Sequence, residues 1–360
     1  MTLFVPLAEE KRPLPSPPFL IEPEDHGSAV SGVVKAIMKA KRIIVVCGAG
    51  ISVHAGIPDF RSPAGLFQTL KRDHPKENLS SGKDLFDASV FNSEQMTALF
   101  CQMIAQLSDM SSAASPTPFH QLLRALDDSG KLLRVYTQNI DAIEAKSGLS
   151  FGVPAFDDRR HKSRTATLNP DQQGHTSLDP PRCVPLHGTL TRLYCMTCTY
   201  SCALTDYLPS LAAGAPPLCP SCSDTAVVRA AEGKRARAIG KLRPSVVLYG
   251  EAHADAEGVG DVVRRDLTGV SRRGGPDLLL VAGTSLRVPG TKRIVREFAK
   301  AVRAAAGGGE PLPSPRGTPG ADAPITSVYL NLDFPAPARE WGEVFDVWVK
   351  GDAQAFAGEV

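Results

Sequence analysis

The sequence predicts an α/β fold: a doubly wound parallel sheet of Rossmann-like build, with a smaller zinc-binding and helical lobe. Three observations carry this. Short β-branched apolar runs, suited to strands covered on both faces, alternate with segments of helical periodicity. The first of these runs opens into the glycine turn Gly48-Ala-Gly50. Two Cys-x-x-Cys pairs interrupt the later alternation.

Residues 1–27 are rich in proline and lack either period, so they are expected to form a mobile arm. From Ser31 the apolar positions Val33, Val34, Ile37 and Met38 recur at helical spacing, and a strand is expected over 42–47. Thr117–Asp128 repeats the helical pattern with Phe119, Leu122, Leu123 and Leu126. Gly130 then ends that helix, and Leu132–Tyr136 reads as a strand. Ser245–Tyr249, Leu278–Ala282 and Val328–Leu332 are further buried-strand candidates. Thr291–Ala305 is a helix with Ile294, Val295, Phe298 and Val302 on one face. Ligands of such a sheet sit at the carboxyl ends of its strands. Every polar motif described below follows one of these runs.

The 360 residues, 42% hydrophobic, suffice for one large core and a smaller module. One two-lobed domain is expected over 28–360. Its large lobe takes about 28–75, 115–190 and 240–360; its small lobe takes about 76–114, helical, and 191–239, the zinc module. Segments 148–182 and 306–324 are rich in Gly, Pro, Ser and Asp and read as flexible insertions.

Forty basic and 38 acidic side chains leave a net charge of +2, so no global field draws the chain to DNA or to an anionic membrane. The basic runs Arg159-Arg160-His161-Lys162 and Lys234-Arg235 read as solvated loops. No run of eighteen apolar residues exists, and the first nineteen residues interleave charge and proline with their hydrophobes. A soluble, intracellular protein is expected, in a reducing compartment where thiols stay free.

Cys195-Met-Thr-Cys198 and Cys219-Pro-Ser-Cys222 stand twenty residues apart. Two thiolate pairs of this spacing make a four-sulfur shell for one Zn²⁺. Four thiolates fill the shell, so the metal is structural and clamps a module with too few hydrophobes to fold alone. Cys202 lacks the paired spacing and is left out of the set.

Behind the first strand runs Val46-Cys-Gly-Ala-Gly-Ile-Ser-Val-His-Ala-Gly-Ile-Pro-Asp-Phe-Arg-Ser62. Its glycine turn can bring helix-start amides up to a pyrophosphate, although Val53 stands where a dinucleotide fingerprint has a third glycine. Thr137-Gln-Asn-Ile-Asp141, His187-Gly188, the cysteine pairs and Gly283-Thr-Ser285 follow in that order. Together these motifs resemble those of the sirtuins, the NAD-dependent protein lysine deacylases, from about Val33 to the C-terminus.

That resemblance implies a site. NAD would lie against Gly48, Ala49, Gly50, Ile51 and Ser52, with Pro58, Asp59, Phe60 and Arg61 closing over it. Gln138 and Asn139 would address the ribose, and Ile140 and Asp141 complete the motif, Asp141 and Ile51 forming the nicotinamide pocket. Read without the family, Asn139 or Asp141 could simply cap the next turn. Ala142 departs from the family's glycine. Gly283, Thr284 and Ser285 would admit phosphate and ribose oxygens, Asn331 the adenosine ribose, and Asp352 the adenine surround. His187 is the candidate general base and Asn139 its catalytic companion, since an imidazole suits deprotonation of a ribose hydroxyl. Val246 and Val247, in Pro244–Glu251, would wall the acyl-lysine tunnel, with the peptide added as a strand.

Arg287–Lys300 and Leu242–Tyr249 further resemble the fungal nuclear branch that acts on histone H3. This implies NAD-dependent deacetylation with nicotinamide release and acetyl transfer to ADP-ribose, an acetylated histone H3 substrate, chromatin association and a nuclear location. Neither sequence-specific DNA binding nor a membrane is implied. Two alternatives remain: protein ADP-ribosylation, or a non-catalytic NAD- and zinc-binding silencing adaptor.

Overall fold

Ile43–Cys47 (β3) is buried at all five positions, and its side chains alternate between two cores. Ile43, Val45 and Cys47 meet Val33 and Ile37 of helix His26–Lys39, Phe119 and Leu123 of helix Pro118–Asp128, and Phe356. Ile44 and Val46 meet Val262 of helix Ala256–Thr268 and Val295, Phe298 and Val302 of helix Pro289–Ala305. A strand has period two, so helices must cover both faces, and a continuous apolar run is what such a strand requires. The computed structural model describes residues 1–8, 16–59, 82–154, 180–251, 255–269, 274–307 and 324–360.

β3 lies in an eight-stranded sheet of order β2-β1-β11-β10-β9-β3-β4-β5. The other members are β1 (Thr2–Pro6), β2 (Leu20–Ile21), β4 (Leu132–Thr137), β5 (Cys183–Pro185), β9 (Leu278–Ala282), β10 (Ser327–Asn331) and β11 (Val347–Lys350). Every pairing in it is parallel. Helix Pro118–Asp128 starts at Thr117 in a capping box closed by His120, and Gly130 follows its end at φ 70°. The glycine stop is the signal expected from the sequence; the capping box, closed by a histidine, is not.

A second, three-stranded antiparallel sheet of order β7-β6-β8 belongs to the small lobe. It comprises β6 (Gly188–Cys195), β7 (Ser201–Ala203) and β8 (Leu242–Val246). Its core joins Leu193, Leu204, Leu211 and Leu242 to Phe100, Met103 and Ile104 of helix Glu94–Ala113.

Three expectations are corrected. Residues 1–27 are not wholly an arm: Thr2–Pro6 pairs with β11, Phe4 and Val5 are fully buried, and the Phe4 ring lies 5.0 Å from that of Trp348. A strand covered on both faces shows no alternation, which is why the run reads as featureless. The Ser245–Tyr249 candidate shares only Ser245 and Val246 with the observed strand Leu242–Val246, which belongs to the antiparallel sheet, because Leu242, Val246 and Leu248 bury against the small-lobe core. Finally, the segment from Gly148 does not begin as a loose insertion. Leu149 is buried, Cys183 N donates to Ser150 O at 2.8 Å, and Gly152 N donates to Cys183 O at 3.0 Å. Its remainder over 155–179, and 308–323 of the second segment, lie outside the described residues.

Candidate active site

The chain leaves β3 toward β4 on one side and returns to β9 on the other, so a crevice opens at the carboxyl ends of β3 and β9. Two glycine loops meet there. Gly50 N donates to Gly283 O at 2.9 Å. A Cβ on Gly50 would stand 2.6 Å from Gly283 Cα, and one on Gly283, at φ 62°, would stand 2.8 Å from Ile51 N. Only glycine permits this approach. Ala49–Ile51 and Val53–Ala55 form short 3₁₀ turns rather than a packed helix, and Val53 is 43% exposed. A third glycine serves close helix–strand packing, which this loop does not make.

Ile51 is fully buried in the large core, and its carbonyl accepts from Thr117 Oγ1 and Gln354 Nε2, both at 3.0 Å. Gln354 also accepts from Phe119 N at 2.9 Å. These polar anchors of the loop are far away in sequence, and no motif marks them.

At the end of β4, Gln138 Nε2 donates to Thr284 Oγ1 at 2.8 Å, tying that loop to the end of β9. Asn139, buried, donates from Nδ2 to Ser52 Oγ at 3.1 Å and to Gly48 O at 3.3 Å. Ile140 faces the small-lobe core, and its carbonyl accepts from Leu190 N at 3.0 Å. Asp141 Oδ1 accepts from Ile143 N at 3.0 Å, so it caps the next turn; burial holds its carboxyl above the usual range. Ala142 sits at φ 57°, the left-handed region that a glycine would occupy without strain. Glu144, fully buried, lies beneath this turn, with Cys47 Sγ 3.9 Å from its Oε1. Burial, reinforced by the Asp141 charge, pushes its carboxyl up to about 8. Helical position three after Asp141 is its only mark in the sequence.

His187 stands in the short link between β5 and β6, where the large lobe passes into the small one. Its Nδ1 lies 3.0 Å from the carbonyl of Gln138. A carbonyl can only accept, so Nδ1 carries a hydrogen and donates it. Gly188, at φ 79°, admits β8: a Cβ there would lie 2.0 Å from Ser245 O.

Thr284 Oγ1 also accepts from Leu286 N at 3.2 Å, and Ser285 is half-buried beside it. Asn331 Nδ2 donates to Tyr329 Oη and to Asp333 O, both at 3.0 Å, and Tyr329 Oη donates to Thr284 O at 2.7 Å. Asp352 caps helix Ala353–Ala357 through Gln354 N at 2.8 Å. Pro58 and Asp59 are half-buried; Phe60 and Arg61 lie outside the described residues. The structure thus gathers the ends of β3, β4, β9 and β10 in one crevice, linked by the Gln138–Thr284 and Asn139–Ser52 bonds. Val246 is buried and Val247 half-buried on the small-lobe side of His187, where Val247 N donates to His187 O at 3.0 Å.

The four sulfurs of Cys195, Cys198, Cys219 and Cys222 lie within 4.8 Å of one another. Cys195 to Cys222 is 3.8 Å and Cys198 to Cys219 is 3.6 Å. A Zn–S bond near 2.3 Å gives a tetrahedral edge of about 3.8 Å, so the set fits Zn²⁺. Cys202 stays outside the cluster, and all eight cysteines are free of disulfides. Among the described residues no helix is long and apolar enough to cross a membrane.

A doubly wound α/β protein with a glycine-lined switch point and a four-cysteine lobe is the class so defined. Within it, the Sir2 family profile matches residues 48–158 and 153–290, and the chain belongs to the Sir2 family. It is 38% identical over 327 residues to the NAD-dependent protein deacetylase hst4 of Schizosaccharomyces pombe, covering 90% of this chain and 67% of that one. It is 39% identical over 285 residues to the NAD-dependent histone deacetylase HST3 of Candida albicans, covering 78% and 55%. The chain spans about half to two thirds of the length of these curated relatives. The solved structure described as Sir2Tm bound to a propionylated peptide superposes with TM-score 0.57 at 19% identity, covering 92% and 96%, and shows the same fold.

Proposed function

We propose that this chain is an NAD-dependent protein lysine deacetylase acting on acetylated histone, most specifically histone H3 in the nucleus. The single observation that carries the reading is His187, whose Nδ1 is held by the Gln138 carbonyl beside the paired glycine loops. The names of the fungal relatives, protein and histone deacetylases, support the substrate class.

The chain's residues divide the work. The glycine loops of β3 and β9 admit the phosphates and ribose of NAD to the backbone. Gln138 and Asn139 orient the nicotinamide ribose, and Ile51 and Asp141 border the nicotinamide. Val246 and Val247 hold the acyl-lysine so that its amide oxygen faces the anomeric carbon as nicotinamide leaves, and positioning of this kind supplies much of the rate. Nε2 of His187 then takes a ribose hydroxyl proton, which lets that oxygen attack the bound acyl group. One water supplies the oxygen that the exchange needs: the amide C–N bond breaks, the lysine leaves as the free amine carrying the proton, and the acetyl group ends as an ester on ADP-ribose, whose anomeric carbon is left bearing a hydroxyl. The cysteine cluster would hold Zn²⁺, which stabilises the small lobe and leaves no coordination position for substrate.

Mass spectrometry of the products from an acetylated H3 peptide and NAD tests this. Free lysine peptide, nicotinamide and acetylated ADP-ribose in equal amounts are expected. ADP-ribose on the peptide would transfer the assignment to ADP-ribosylation, and no product from any acetyl-lysine peptide would leave a binding protein. For location, raised H3 acetylation after gene deletion is expected; an unchanged H3 profile beside raised cytoplasmic acetylation would overturn the nuclear assignment.

A further inference from the structure

Arg243, the second residue of β8, is 6% exposed, and a buried guanidinium needs partners. Its Nη1 and Nη2 donate to Glu251 Oε2 and Oε1, each at 2.7 Å, the parallel fork that a carboxylate matches best. Nη2 also reaches the Val246 carbonyl at 3.3 Å. The guanidinium carbon stands 4.7 Å from the Phe91 ring centroid and 5.3 Å from that of Tyr194. Glu251 Oε1 in addition accepts from Leu248 N at 2.7 Å. The pair therefore ties both Val246 and Leu248 to one rigid fork.

The neighbouring amides are held too. Val247 N donates to His187 O at 3.0 Å, and Tyr249 N to Phe86 O at 2.7 Å. Three consecutive amides in the stretch expected to border the acyl-lysine thus donate within the chain, one of them to the backbone of His187. The shape of that stretch is set before any peptide arrives, and the fork is a buried charged support for it. Neither Arg243 nor Glu251 bonds to the glycine loops or to Gln138 and Asn139.

We propose that Arg243 and Glu251 are positioning residues for the acyl-lysine peptide, fixing the path of Val246–Tyr249 and its spacing from His187. The inference rests on the deacetylase reading above. Its test compares Glu251→Gln and Arg243→Lys with the unaltered chain, measuring KM for an acetyl-lysine peptide, KM for NAD, kcat and zinc content. Glutamine keeps an acceptor for Leu248 without the ion pair; lysine keeps the charge without the fork. At least a threefold rise in peptide KM is expected in both, with NAD KM within twofold and one zinc per chain. Peptide KM changed less than threefold, both KM values rising together, or loss of zinc and fold in both variants would each overturn it. An unaltered chain that turns over no acetyl-lysine peptide would fail earlier, removing the deacetylase reading and this inference with it.

Discussion

Helix Pro289–Ala305 of the large sheet and helix Pro220–Ala231 of the cysteine lobe are held in place by different means. The first buries Thr291, Val295, Phe298, Ala299 and Val302 along one face. The second buries no residue at all, and Val227 and Val228 are 71% and 56% exposed. It begins at Cys219, whose buried sulfur sits among the other three. A twelve-residue helix is marginal alone in water. The first helix is ordered by apolar burial, at about 1.5–3 kcal/mol per large buried side chain, and the second by the cysteine cluster at its start, which fits a metal cross-link.

The largest effect should come from cutting that cross-link. Structural zinc contributes on the order of 10–16 kcal/mol in small metal-folded modules. Cys222→Ser, or chelation, is expected to remove the single zinc and abolish amide protection across helix Pro220–Ala231, while Ile43–Cys47 and Leu278–Ala282 stay protected. Hydrogen exchange followed by mass spectrometry reads both regions at once, and equal loss in both would dissolve the contrast.

The second effect touches chemistry and neither lobe's stability. His187→Ala should lower deacetylation by about 10²- to 10⁴-fold, the usual cost of losing a general base, with NAD affinity and the thermal midpoint nearly unchanged. Stopped assays with calorimetric NAD titration check it; full activity would remove His187 from the reaction.

The third belongs to the large sheet alone. Glu144 ionises near 4.5 when unfolded and is pushed up to about 8 when folded. The native form therefore binds the proton more tightly, and this contribution to stability, complete below pH 4.5, is lost as pH rises toward 8. The slope from one such group is at most about 1.4 kcal/mol per pH unit. Glu144→Gln should flatten that decline in urea unfolding curves, whereas an unchanged pH dependence would show that the carboxyl is ionised in the fold.

The smallest effect concerns one backbone angle. Ala142→Gly relieves the left-handed strain at φ 57° but frees the unfolded chain. A net gain of about 0.5–1 kcal/mol is expected, since the αL penalty for an L-residue is about 1–2 kcal/mol. A lower thermal midpoint would mean that the buried methyl matters more than the angle.

Much of this contrast was legible in the residue order. The apolar runs at Ile43 and Leu278, the glycines that end them and the cysteine spacing each reflect a local requirement that a short window contains. What a window cannot contain stayed hidden. The bonds of Gln354 and Thr117 to Ile51 join residues brought together only by the sheet. The pairing of β8 with β6 depends on which core the leucines of 242–248 meet, not on the strand's own pattern. Asn331 and Asp352 follow their strands as expected, yet spend side-chain groups on Tyr329, Asp333 and a helix start. Family resemblance assigns a residue to a ligand without saying what else holds it.

The pairing of β1 with β11 also sets an order of events in time. Thr2 and Phe345, 343 positions apart, share a hydrogen bond, and Leu3–Pro6 lie in register with Val347–Lys350. A ribosome delivers the first strand long before its partner exists. Phe4 and Val5 must therefore wait, solvated or chaperoned, until the last strand emerges, and closure over such a sequence distance is intrinsically slow. Between the emergence of β11 and its pairing with β1, β11 has no cover on that side, and its Val347 and Trp348 form an apolar strand edge open to another chain.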